Sequence, residues 1–355
     1  MQHEALRIAV VLPRGMSFAP ERATSIDLCA RDFTAGSAFR ETTTLYIEEV
    51  EQPFEGFDLR MRPKNDLARL IAQLREDRPD LVIVHQHLPS VERIASRIGA
   101  PVLLHRHNFY RAERSWFSRQ RFRSRTRKCA GVICVSDAVS EQIRSLAMSG
   151  MPVMTVPNAL RMADWTPAER RANEIVFAGR AHPTKGVLEL AQALRDLLPG
   201  HSDWRARLIL SSFDGKCNYV DEVRRTIEPI GDRVVLEKDV PFERVKERLS
   251  CAAVAVMPTI SREAFGRSAM EAMAGGAALA SSLNGGLAEV VGDAAVPISP
   301  VRPDTIREAL GALMGSNDLR ADYARRGRRR ALERFDIAPV CARLDGIYER
   351  FGRAR

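Results

Sequence analysis

Short aliphatic and β-branched runs alternate with longer stretches of helical periodicity along the chain. That alternation predicts parallel sheets covered by helices. In the first half the runs fall at 7–12, 42–47, 81–84, 102–105, 131–135 and 153–156, with helices between them such as 66–76 and 137–148. Residues 157–173 (PNALRMADWTPAERRAN) are polar, carry prolines and hold no period, so they read as a linker. The alternation then restarts, with strands at 174–178, 207–211, 233–236, 252–257, 278–281 and 295–298. Helices are expected near 185–198, 217–228, 241–250, 265–274 and 286–291. The pattern predicts an α/β chain of two doubly wound domains, 1–160 and 174–334, with no fixed-period repeat. Residues 317–351 read as two further helices, and 335–355 as a C-terminal helix able to cross back onto the first domain. Ligands of such sheets sit beyond the carboxyl ends of the strands, so chemistry is expected on loops that follow strands, in a cleft between the domains.

A length of 355 residues suffices for two cores, and 45% apolar with 28% charged residues excludes a disordered or fibrous chain. No run approaches membrane-spanning length, and the opening MQHEALRIAVVLPRG reads as a first strand rather than a secretory leader. Cys29, Cys129, Cys134, Cys217, Cys251 and Cys341 are scattered without C-x-x-C spacing, which predicts a reducing cytoplasm and no metal site. A net charge of +9 points to anionic partners: nucleotides, anionic lipid or nucleic acid. Nine of the basic residues fall in 106–128 with one acid, Glu113, and with Phe109, Tyr110, Trp116, Phe117 and Phe122 among them. This segment reads as a solvated helix, a contact with anionic membrane or a lipid diphosphate, or a grip on nucleic acid. No recognised nucleic-acid motif accompanies it, so no nucleic-acid partner is expected.

The stretch 261–276 (SREAFGRSAMEAMAGG) follows a strand and opens a helix. Glu263 lies in the loop, and Glu271, eight residues on, returns to roughly the same side of the helix. Free N–H groups of residues 265–268 between them can seat an anion, with Gly266 allowing close approach. Two carboxylates flanking a phosphate seat suit a nucleotide sugar; the plain alternative is two helix-associated acids.

Glu263, Phe265, Gly266 and the run Glu271-Ala272-Met273-Ala274, followed by GGAALASSLNGGLAEVV, resemble the E-x7-E region of family-4 type retaining glycosyltransferases of the GT-B fold. Ala264 and Ala278 stand where that family has Gly and Pro, and Arg267 where an aliphatic residue is commoner. The resemblance implies that Glu263 bonds donor-sugar hydroxyls and Glu271 the nucleotide ribose. It extends to 176–194 (VFAGRAHPTKGVLELAQAL), whose Gly179, Arg180 and Lys185 match the G-R-x4-K-G segment that binds the donor's phosphates and stabilises the leaving diphosphate. Arginine supplies a fork and lysine a compact charge. Gly285 and Gly286 are read as backbone N–H donors to phosphate, with Glu289 either local or reaching a hydroxyl.

Four histidines, His85, His87, His105 and His107, fall at two strand ends without an acidic or cysteine partner at ligand spacing, and no D-x-D occurs. No metal ligand is therefore assigned. By resemblance, His107 with Asn108 stands near the transferring end of the donor. Gly15 and the segment Ser17 to Thr24 are read as acceptor-side, in a loop that departs from the family's G-G-x-E pattern.

The expected activity is transfer of a sugar from a nucleotide-diphosphate donor to the hydroxyl of a glycan or lipid-linked acceptor, in polysaccharide, lipopolysaccharide or glycolipid assembly. It is expected to need no metal or cofactor, and to occur in the cytoplasm or peripherally at the inner membrane face. Another GT-B enzyme, such as a nucleotide-sugar epimerase or a phosphorylase, and a non-catalytic nucleic-acid binder are the alternatives.

Overall fold

The computed structural model describes residues 6–110, 115–211 and 218–353. Cys217 and residues 111–114 of the basic segment lie outside them. The chain divides into two compact units, Met1–Arg161 with Asp336–Arg355, and Met162–Phe335.

The first unit holds seven parallel strands: β1 (Ile8–Val11), β2 (Thr43–Glu48), β3 (Asp58–Arg62), β4 (Leu81–His85), β5 (Val102–Arg106), β6 (Gly131–Cys134) and β7 (Val153–Thr155). Their order is β3-β2-β1-β4-β5-β6-β7, so the winding reverses between β1 and β4. The central strands are buried on both faces, as continuous aliphatic runs such as Leu-Val-Ile-Val in β4 require. Sequence reading omits β3. Its residues Asp-Leu-Arg-Met-Arg alternate weakly and three of the five are exposed, because the strand lies at the sheet edge.

Helix Ile337–Gly352 belongs to this unit. Ile337, Val340, Cys341, Leu344 and Tyr348 join the core formed by β1, β2 and helix Ser25–Gly36. Asp345 fixes its depth by accepting from Ser37 Oγ at 2.6 Å and Ala38 N at 2.8 Å.

The second unit holds six parallel strands: β8 (Ala172–Arg180), β9 (Arg205–Ser211), β10 (Val234–Lys238), β11 (Ala252–Met257), β12 (Ala278–Ser281) and β13 (Ala295–Pro297). Their order is β10-β9-β8-β11-β12-β13, with the reversal between β8 and β11. Helix Val187–Leu197 covers one face by burying Val187, Leu190, Ala191, Leu194 and Leu197, which repeat at helical spacing. Each fully buried leucine there contributes about 1.5–3 kcal/mol relative to exposure. In both units the reversal opens a crevice beyond the carboxyl ends of two neighbouring strands, where this architecture places ligands.

No described helix is long and apolar enough to cross a membrane. Helix Trp116–Thr126 buries only Phe122 and Thr126. Trp116 and Phe117 stand 64% and 77% exposed at its start, their rings edge to face at 5.0 Å.

Candidate active site

The crevice of the second unit is built from three turns. The first follows β8: Arg180 ends the strand, and residues Pro183–Lys185 form a single 3-10 turn closed by Gly186. The second, after β11, carries Glu263 into helix Arg267–Ala274. The third, after β12, runs through Asn284 into helix Gly286–Val291.

Hydrogen bonds lock these turns together. Thr184 O accepts from Ile260 N at 2.9 Å and Ser261 N at 3.3 Å. Asn284 Nδ2 donates to Thr259 O at 2.8 Å, as does Ser282 Oγ. Glu263 N donates to Asn284 O at 3.1 Å, and Gly286 N to Glu263 O at 2.7 Å. The backbone of Glu263 is thus held on both sides. Its carboxylate meets the Lys185 ammonium in an ion pair that leaves the two side chains 22% and 17% exposed.

Not every expected role survives the geometry. Glu271 and Arg267 form a buried pair four residues apart, Nε to Oε1 at 2.7 Å, with the Arg267 guanidinium also 5.8 Å from the Phe242 ring centre. Arg267 is therefore a partner for Glu271 inside the helix rather than a charge held out to a donor. Phe265 packs edge-on against Phe335 at 5.7 Å, so only its backbone faces outward chemistry. The Gly286 N–H is already bonded to Glu263 O and is no phosphate donor. The N–H groups of Phe265, Gly266 and Ser268 make no hydrogen bond among the described residues, which keeps the anion seat at this helix start. Arg180 is exposed with no side-chain partner among the described residues, and Gly179 precedes it on the strand. The four groups expected together thus comprise one contact pair, Lys185 with Glu263, an exposed Arg180 without a side-chain partner among the described residues, and a Glu271 bonded within its own helix.

In the first unit His107 is buried and its Nε2 lies 2.9 Å from His85 Nδ1. His107 stacks on His85 and on His105, His85 and His105 are tilted by 41°, the ring centres lie 4.5–5.0 Å apart, and nitrogens of the three lie within 4.8 Å of one another. Burial pushes the His85 pKa down to about 3 and that of His105 well below the ordinary value.

A depressed histidine has a definite sign. Above pH 6.5 folded and unfolded chains both hold His85 neutral; below it the unfolded chain takes a proton that the folded one refuses. Stability should fall from near pH 6.5 towards the folded value, by about 2 kcal/mol at roughly pH 5 from His85 alone. Urea melts at the two pH values should show this slope, and His85→Gln should flatten it.

Asn108 is exposed, and its carbonyl accepts from Arg106 Nη2 at 2.8 Å. Gly15 donates its N–H to Glu48 Oε2 at 2.9 Å. Within the segment Ser17 to Thr24, Pro20, Glu21 and Arg22 are exposed, whereas two residues have structural places. Phe18 is core, edge-on to Phe54 and Phe57, and Thr24 caps helix Ser25–Gly36 in a reciprocal box with Asp27.

Two adjoining family models match the chain: Glycosyltransferase Family 4 over residues 20–163 and Glycosyl transferases group 1 over 165–330. The MMP alpha-(1->4)-mannosyltransferase of Mycolicibacterium hassiacum is 28% identical over 246 residues, 67% of this chain and 58% of that protein. The phosphatidyl-myo-inositol mannosyltransferase of Mycolicibacterium smegmatis is 28% identical over 232 residues, 62% of this chain and 58% of that protein. These matches span less than two thirds of either relative's length. Among solved structures, Anabaena Alr3699/HepE in complex with UDP and glucose superposes with a TM-score of 0.80 at 16% identity, covering 96% of this chain and 99% of that one. With parallel-sheet Rossmann-like units, a structural neighbour of this kind and family matches running from residue 20 to 330, the chain belongs to the family-4 type glycosyltransferases of the GT-B fold.

Proposed function

We propose that the chain is a retaining, metal-independent hexosyltransferase. It moves a sugar from a nucleotide-diphosphate donor to the hydroxyl of a glycan or lipid-linked acceptor in polysaccharide, lipopolysaccharide or glycolipid assembly. The observation that carries this reading is the Lys185–Glu263 contact beside a helix start, at the crevice where β8 and β11 part.

In this reading the donor's diphosphate sits against Lys185, Arg180 and the N–H groups that open helix Arg267–Ala274. These charges and dipoles stabilise the departing nucleoside diphosphate, the part a metal ion plays elsewhere. Glu263 takes the sugar hydroxyls and Glu271 the ribose, and the family resemblance assigns His107 to the transferring end of the donor. The leaving phosphate accepts the acceptor's proton on the face it departs from, which retains configuration. The UDP and UDP-glucose complexes of Alr3699/HepE support a nucleotide-sugar donor. The exposed Trp116–Phe117 pair on an arginine-rich helix supports a peripheral site at the cytoplasmic membrane face.

Thermal unfolding against a panel of nucleotide sugars, with and without EDTA, tests the reading. A cognate donor at a hundred times its dissociation constant should add about 2.7 kcal/mol, equally in EDTA. A panel without any stabilising nucleotide sugar would refute donor binding, and a gain abolished by EDTA would refute metal independence.

A further inference from the structure

The crevice where β1 and β4 part, in the first unit, holds a cluster of cations that the donor chemistry does not use. A pocket of about 120 Å³ is lined by Arg14, Arg62, Asn65, His87, Ser90 and Arg93. Arg14 follows β1, Arg62 ends β3, and His87 follows β4, so parallel strands bring all three to one edge of the sheet.

Arg62 is the informative member. It is 3% exposed, its Nη1 is buried without a hydrogen-bond partner, and its guanidinium makes no ion pair among the described residues. The nearby acid, Glu48, accepts from Gly15 N at 2.9 Å through Oε2 and from Asn65 N at 2.8 Å through Oε1, and it acts on Arg62 through its charge rather than through a contact ion pair. Burial holds the Arg62 pKa below its ordinary value, with Glu48 and Asp66 opposing the shift. Glu48 and Asp66 offset part of the buried charge, but a buried guanidinium N–H without an acceptor is unfavourable unless a ligand supplies one.

The neighbouring side chains are set as donors. Arg14 Nη2 lies 3.2 Å from His87 Nε2, and because arginine can only donate, Nε2 must accept. The imidazole proton then sits on Nδ1 and donates to Ser90 Oγ at 2.8 Å. That leaves the buried Ser90 hydroxyl with its own proton to give. Burial, then the Arg14 charge, lowers the His87 pKa to about 4, so the ring stays neutral at pH 7.

We propose that this crevice binds a phosphate group carried by the acceptor, with Arg62 as the buried anchor and Arg14 and Arg93 as exposed arms. Guanidinium forks and a hydroxyl match the tetrahedral oxygens of a phosphate ester, and Asn65 and Ser90 add neutral contacts. The site is separate from the donor crevice of the second unit. That its phosphate belongs to an acceptor rests on the glycosyltransferase reading.

Calorimetric titration of the full chain with inorganic phosphate, at ionic strength held constant with chloride and with UDP saturating, tests the assignment. Wild type should bind phosphate. Arg62→Gln should weaken it by roughly tenfold, with UDP affinity unchanged, and Arg62→Lys should restore part of the loss. Arg14→Ala and Arg93→Ala alter exposed residues and should each weaken phosphate several-fold, which keeps the test valid if Arg62→Gln folds poorly. Competition by glucose 6-phosphate against monomeric dihexanoyl phosphatidylglycerol then distinguishes a sugar-borne from a lipid-borne phosphate. Phosphate that ignores all three arginine substitutions, or that fails to bind wild type at tens of millimolar, overturns the proposal. UDP that fails to bind counts against the donor reading instead, and the phosphate result then stands on the arginine variants alone.

Discussion

Lys185→Ala should lower turnover by about 10²–10³-fold, a barrier increase of roughly 2.7–4 kcal/mol, while changing global stability little. The reasoning starts from charge. A nucleoside diphosphate gains negative charge as the glycosidic bond breaks, and in the proposed metal-free site the nearest fixed cations must meet it. Lys185 is better placed than Arg180 for this. It sits on a turn anchored through Thr184 O to residues 260 and 261, and its side chain is only 17% exposed, whereas Arg180 is exposed and unanchored. Electrostatic stabilisation is strongest from groups already held in place before charge develops. Lys185 is also held in the ground state by Glu263. A sugar whose hydroxyls draw on Glu263 would release the ammonium towards the diphosphate. Lys185→Arg should fall between, because a planar fork replaces a compact charge. Steady-state measurement of nucleoside diphosphate release, with donor affinity taken separately by calorimetry, separates turnover from binding. Unchanged turnover in Lys185→Ala would remove the ammonium from the mechanism.

That Lys185 and Glu263 belong to one donor site was implied in the sequence by the family resemblance of the two turns that follow aliphatic strands; their direct contact was not. What the motif could not reveal was which neighbours occupy each group. Arg267 and Glu271 are four apart on one helix, a spacing at which opposite charges meet, and the structure buries them as a pair. The same oversight applies to Thr24 and Asp27, whose three-residue separation is the signature of a helix cap. The arginine pocket escaped for a different reason. Its anchor, Arg62, ends β3, whose alternation is too polar to register as a strand. Strand order decides the rest: only the parallel pairing of β3 with β2, β2 with β1 and β1 with β4 brings Arg62, Arg14 and His87 to one edge. The clustering of His85, His105 and His107 likewise depends on the register of β4 against β5, where His85 faces His105. Sequence showed the histidines at strand ends but could not align the strands.

Gly186→Ala should destabilise the second unit by about 3 kcal/mol or more and weaken donor binding with it. Two separable terms lead there. Gly186 has φ +68° and ψ 27°, a left-handed conformation that raises the energy of an L-residue by roughly 1–2 kcal/mol. A Cβ at this position would also lie 2.0 Å from the Pro258 carbonyl oxygen, which is backbone and cannot rotate aside. The turn after β8 and the turn after β11 would have to separate, and that separation strains the Ile260 and Ser261 hydrogen bonds to Thr184 O. Lys185, immediately before the glycine, would then lose its register with Glu263. Gly231 provides a contrast within the same unit: its φ of +52° and ψ of −138° form a conformation that disfavours an L-residue still more, yet a Cβ there would meet nothing within 4 Å. Gly231→Ala should therefore show a backbone term alone and leave donor affinity intact. Urea melts and donor titrations of both variants separate the two terms by their coupling to binding, since a purely conformational penalty lowers stability alone, whereas forcing the two turns apart at Gly186 lowers donor affinity with it. Donor affinity preserved in Gly186→Ala would mean that the tight approach of these two turns does not hold the site together.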